Sequence, residues 1–290
     1  MFKSIWDDIV YQLRQGSMIF KIILLCIVVF FSFETVHLIY WVGKNPLGFE
    51  KIIRFFALPF SFHGIITHPW SVICFMFMHA DVSHILWNML FLYWFGEIYR
   101  LYMRDRRILP LFVFGSLAGA ALSVLMFHLL PPLRLKISTD YMVGASAGIQ
   151  AIMFAATALN PDHRVRMLFI GYIPLKYVTL GFFLMDYLAL TYGNAGGEIA
   201  HIGGALFGFL YIKSLQAGID WFTPLDKIAA LFRPKSKLKA TYVSDRKEKK
   251  EGPSDNEQKR LDQILDRIAK SGYNSLNKEE KDFLFKFSNK

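Results

Sequence analysis

Ser146 stands among small residues, in Gly144-Ala145-Ser146-Ala147-Gly148, at the head of a long apolar run. A serine hydroxyl is a weak nucleophile and needs an adjacent base to take its proton. His201, near the start of another apolar run, has the chemistry of that base. A third run carries His84 and Asn88, four residues apart and therefore on one helix face. Two side-chain donors so placed suit a developing oxyanion, together with backbone amides at Ala145 and Ser146. His79 precedes His84 by five residues, in or beside a loop, and reads as a loop anchor. Nucleophile, base and oxyanion donors are the equipment of acyl transfer.

Gly-x-Ser-x-Gly also matches the nucleophile elbow of soluble α/β-hydrolases. That motif needs a strand before the serine and alternating strands and helices around it. Here a polar loop precedes the serine and an apolar run follows, so the elbow is rejected. The small neighbours have another use: they let a second helix approach closely and leave first-turn N–H groups open. A metal pair at His84 and Asn88 lacks a carboxylate neighbour, and asparagine is a poor transition-metal ligand. Cys26 and Cys74 form no CxxC pair and read as buried small apolar residues. No cofactor and no metal are expected.

The elements that position these groups follow from composition. The chain is 54% hydrophobic and 19% charged, with a mean hydropathy of +0.33, whereas soluble domains are about 25% charged. Charge is sparse within the apolar runs and dense after Lys213, the profile of a membrane domain with a soluble tail. The net charge of +10 comes from cations lying beside apolar spans. The expected partner is therefore the anionic bilayer surface, not nucleic acid.

Six spans are expected, at Ile22–Val42, Ser83–Met103, Ile108–Leu130, Val143–Leu159, Leu175–Leu190 and Ile199–Leu215. Gly115-xxx-Gly119 and Gly204-xxx-Gly208 give two of them small faces for close packing. Glu34 and His37, three apart in the first span, are expected near the outer interface or bonded within the bundle. Between the first two spans, Lys51-Ile-Ile-Arg-Phe-Phe-Ala-Leu-Pro59 reads as an amphipathic piece lying in the interface. Basic clusters at Arg100–Arg107, Arg164–Lys176 and after Lys213 place those loops and both termini on the cytoplasmic side. The first apolar run has span length and no short core with a cleavage site, so it is expected to stay in a protein of the cell membrane. From Ser146 to the Asn160-Pro161 stop, a helix is roughly 21 Å long. A hydrocarbon core is about 30 Å thick, so Ser146 should lie below the outer surface, at a depth His201 also reaches.

The domain division expected is 1–21 as a cytoplasmic segment, 22–215 as the membrane domain, 216–254 as a basic linker and 255–290 as a small helical domain. In the last, Leu261, Ile264, Leu265 and Ile268 follow helical spacing and Gly272 stops the helix. Asn277 and Glu280 form a capping pair before a second helix with Phe283, Leu284 and Phe287.

His79-xxxx-His84-xxx-Asn88, Gly144-Ala-Ser146-Ala and Ala200-His201-xx-Gly204-xxx-Gly208 together resemble the rhomboid family of intramembrane serine proteases, over about residues 15–215. The resemblance implies an all-α, six-transmembrane-helix bundle, here with a small helical cytoplasmic tail. It implies a Ser146–His201 dyad with no acid, an oxyanion site including His84 and Asn88, and substrates that are transmembrane helices cut near their outer ends. It also likens the loop holding Trp70 to the family's membrane-immersed first loop, anchored in part by Trp70. Three positions depart from the family pattern: Ser71 where an arginine is common, Ala147 where a glycine is common, and Gln150 where an aromatic packs on the histidine. The alternative is a catalytically inactive rhomboid-like protein that binds or handles membrane helices. A small transporter would need polar groups along a path across the bilayer, but the ionisable groups in the spans cluster at one side.

Overall fold

The computed structural model describes Val10 and residues 16–167, 171–191, 194–232 and 255–288. The expected linker residues 233–254 and most of the N-terminal segment lie outside the described residues. The chain divides into two compact units, Met1–Phe232 and Arg233–Lys290.

In the first unit, α1 (Met18–Val42) starts one turn before the expected span. The reason is local. Ser17 caps it by accepting from the Phe20 N–H, and both Asp105 carboxylate oxygens accept from the Met18 N–H, satisfying donors that a helix start leaves open. On α1 His37 lies exposed and Glu34 half-buried, 3.7 Å apart, with the His37 ring stacked on Phe49. Next come α2 (Pro46–Phe56), capped by Asn45, and α3 (Phe62–Thr67), capped by Ser61. The helical segment Ser71–Phe77 then bends through 87° into α4 (Val82–Arg100). After it come α5 (Ile108–Leu129), α6 (Ser146–Leu159), α7 (Leu175–Ala189), α8 (Ala195–Gln216) and α9 (Thr223–Phe232).

A helix occupies each of the six expected runs. Among the described residues, three segments are long and apolar enough to cross a membrane: α1, Asp105–Leu129 containing α5, and α8. The bent pair ending in α4 makes a fourth if it is one span. The helices α6 and α7 have 14 and 15 residues, about 21–23 Å, because a polar loop or hairpin bounds each. Among the described residues, two short antiparallel pairs add to the helices. β1 (Leu58–Pro59) pairs with β2 (Tyr141–Met142), and β3 (Arg164–Met167) with β4 (Gly171–Pro174). The second pair holds the Gly171 and Pro174 breaks.

At the centre, α6 is buried on every side from Ala147 to Met153, as a helix enclosed by others must be. Glycines set the spacing. A Cβ at Gly204 would lie 2.0 Å from the Ala147 carbonyl oxygen, and one at Gly208 the same distance from that of Ala151. Gly119 meets the Ala200 carbonyl and Gly115 the Ala151 methyl in the same way. Apolar side chains such as Leu25, Val28 and Phe31 on α1 and Leu184, Met185 and Leu188 on α7 point outward, as a lipid solvent favours.

Residues 216–232, expected as the start of a linker, carry structure. Phe222 is buried and packs on Tyr211 and Phe114. The buried Arg107 guanidinium pairs with Asp220 and, at 2.8 Å, with Asp226. Charge pairing of this kind reaches across sequence and leaves no local pattern.

The second unit holds α10 (Asp255–Ser271) and α11 (Lys278–Ser288). Gly272 ends α10 with φ +77°, a conformation only glycine adopts freely. The Asn277 side chain accepts from the Glu280 N–H at 2.9 Å while Glu280 accepts from the Asn277 N–H at 3.0 Å, a reciprocal capping box. Among the described residues of this unit, Ile264 and Leu276 are the buried apolar side chains.

Candidate active site

The segment before Ser146 is held from two sides. β2 pairs with the long connection through β1, and the Gly144 N–H donates to the Phe75 carbonyl at 2.9 Å. Gly144 has φ +135°, and a Cβ there would lie 3.0 Å from His84 Nε2. Only glycine permits that backbone against that ring. Helix α6 then opens at Ser146 with Ala145 as N-cap and no capping side chain. Its first-turn N–H groups have no carbonyl one turn back to bond. Ala145 itself is fully buried.

His201 projects from α8 toward the serine. Its Nε2 lies 2.7 Å from Ser146 Oγ, within hydrogen-bond reach. The glycine contacts of α8 on Ala147 and Ala151 are what bring the two helices close enough. On its other nitrogen the imidazole meets a carboxylate, Asp186 of α7, at 3.0 Å, and Glu198 at 3.5 Å. The expected dyad has no acid, and sequence reasoning passed over both residues. The available signals were an acidic residue in an apolar run, for Asp186, and a carboxylate three residues before a histidine on one helix, for Glu198. The ligand atoms of Asp186, Glu198 and His201 lie within 4.8 Å of one another, a spacing that also suits a cation. Both imidazole nitrogens already have hydrogen-bond partners, and a cation at Nδ1 would displace the Asp186 contact.

On α4, Asp81 caps the helix by accepting from the His84 N–H. His84 Nδ1 accepts from the Ala80 N–H at 3.3 Å, so a neutral His84 carries its proton on Nε2, the atom beside Gly144. Asn88 is buried and donates one N–H to the His84 carbonyl at 2.9 Å, leaving a second. His84, Asn88, Ser146 and His201 all line one cavity of about 710 Å³. His79 lies buried outside that cavity, its ring edge-on to His84 with centroids 5.1 Å apart. Trp70 is also outside it. Its indole N–H donates to the Phe55 carbonyl at 2.7 Å, tying the bent segment to the end of α2. Arg54 of α2 donates to the Thr139 carbonyl and covers the Tyr141 ring.

Comparison with known proteins agrees with this architecture. The rhomboid domain family matches residues 67–217, and a family of unknown function, DUF6576, matches residues 253–290. The chain is 30% identical over 167 residues to "RHOMBOID-like protein 12, mitochondrial" of Arabidopsis thaliana, which covers 54% of this chain and 47% of that protein. The chain therefore spans about half the length of the curated relative it matches. With its rhomboid domain extending over half of its length, the chain belongs to the rhomboid family. It is a mostly helical, multi-pass membrane protein.

Proposed function

We propose that this chain is an intramembrane serine endopeptidase that cuts transmembrane helices near their outer ends. The observation that carries this is the 2.7 Å contact between His201 Nε2 and Ser146 Oγ at the wall of the cavity holding His84 and Asn88. Ser146 is the nucleophile. As its Oγ bonds to the scissile carbonyl carbon, its proton passes to His201 Nε2. The carbonyl oxygen becomes an oxyanion, met by His84 Nε2–H, the free Asn88 N–H and backbone amides at Ala145 and Ser146. The tetrahedral intermediate breaks its C–N bond, His201 returns the proton to the leaving amine, and an acyl-enzyme remains. Water, deprotonated by His201, then releases Ser146 by the reverse sequence.

The same reading assigns His79 and Trp70 to anchoring the entry loop. The α6 length of 14 residues fits a serine below the outer surface of the bilayer, reached by helical substrates from lipid and by water from outside. The basic clusters support six spans in a cell membrane with both termini cytoplasmic; the mitochondrial setting in the relative's name belongs to that protein. The test is incubation of the purified chain in liposomes with a panel of transmembrane-helix substrates beside Ser146→Ala. Substrate cut by the parent and spared by the variant is the expected result. Helices bound but uncut would instead support an inactive helix-handling protein.

A further inference from the structure

His201 is held on the side away from Ser146 by groups from three helices. Its Nδ1 lies 3.0 Å from Asp186 Oδ1 and 3.5 Å from Glu198 Oε2. The second Asp186 oxygen accepts from Gln150 Nε2 at 2.9 Å. Gln150 lies one turn after Ser146 on α6, Asp186 is on α7, and Glu198 lies one turn before His201 on α8. Asp186 and Gln150 are buried. A carboxylate at this depth is costly without partners, and all of its partners face the imidazole or its supports.

We propose that Asp186 is the positioning residue of His201, held by Gln150 and assisted by Glu198. This rests on Ser146 and His201 being nucleophile and base. With Asp186 Oδ1 accepting from Nδ1–H, His201 keeps the Nε2 lone pair for the serine proton. In the other tautomer Nε2 would carry a proton and could not act as base. When Nε2 takes the Ser146 proton, the new imidazolium lies against the Asp186 carboxylate, with Glu198 adjacent. The other titratable groups lining the same cavity are His84, Asp81 and Tyr141. Gln150, which departs from the aromatic common in the family, thereby gains a use: it orients the acid.

The test uses full-length protein. In liposomes, kcat and KM are measured for the parent, Ser146→Ala, Asp186→Asn and Glu198→Gln. In detergent, ¹⁵N shifts of the His201 imidazole report which nitrogen carries the proton. Asp186→Asn is expected to lower kcat roughly 10²-fold or more, the range of a positioned acid–base group, with KM within a few-fold of the parent. Glu198→Gln should lower kcat less. The neutral His201 ring should carry its proton on Nδ1 in the parent and in Ser146→Ala. A parent-like kcat in Asp186→Asn, or a proton found on Nε2, overturns the assignment. If Asp186→Asn fails to fold, the tautomer in Ser146→Ala still decides. A parent that cuts nothing sinks the protease reading, whereas a cutting parent with an indifferent Asp186→Asn sinks only this one.

Discussion

At the residue scale, the proposed mechanism makes the hydrogen-bonded Ser146 and His201 one unit. Ser146→Ala and His201→Ala should each abolish cleavage with the fold kept, and the double variant should be no worse than either, because residues acting together give non-additive losses. Rates of the three variants, with thermal unfolding as a control, check this. His84→Ala should act differently. In the proposed mechanism the Nε2–H beside Gly144 meets charge that exists only in the transition state, so its loss should lower kcat by about 10²–10³ and leave KM nearly unchanged. A variant changed in KM alone would mark His84 as a ground-state contact. Ser146, His201, His84 and Asn88 are legible in the sequence because polar residues stand out in apolar runs and their spacing fixes their helix faces. Asp186 has the same signature. Its meaning depends on α7 crossing beside α8, a tertiary fact that no spacing encodes. Gln150 is legible only as a departure, since its partner is Asp186.

At the element scale, the distance between α6 and α8 decides whether the pair can form. Gly204 and Gly208 leave room for backbone only, with the Ala147 and Ala151 carbonyls 2.0 Å from where a methyl carbon would sit. Those listeners to a substitution are backbone atoms and cannot swing away. Gly204→Ala should push α8 off α6 three residues from His201, destabilise the protein by about 1–3 kcal/mol and cut activity further than stability alone explains. Gly181→Ala is the control. It lies on α7 with nothing within 4 Å of the added carbon, so removing a helix-interior glycine there should be neutral or stabilising by up to about 1 kcal/mol. Unfolding temperature in detergent and cleavage rate, measured on both, separate packing from helix propensity. The helices and the small-residue faces can be read from apolar run length and glycine spacing. The bend before α4 and the β1–β2 tie cannot, because they depend on capping by Asp81 and on pairing between segments more than 80 residues apart.

At the scale of the whole molecule, two truncations test where the membrane unit ends. All of the proposed catalytic residues precede α9, yet the unit runs to Phe232. Arg107 explains why. Its guanidinium is buried and pairs with Asp220 and Asp226, and Tyr211 also donates to Asp220 at 3.3 Å. A chain ending after Phe232 keeps these pairs and should insert, fold and cut a model substrate at a rate similar to the full chain in detergent. A chain ending after Leu215 loses both carboxylates and the Phe222 side chain. It leaves a buried cation unpaired, a defect that costs about 3–5 kcal/mol when a buried pair is broken, and should unfold at lower temperature. Restoring the charge balance with Arg107→Met in that short chain should recover part of the loss, since an apolar side chain needs no partner. Equal stability of the two truncations would remove the Arg107 cluster from the membrane unit. A folded but inactive chain ending at Phe232 would make the C-terminal unit part of the active enzyme.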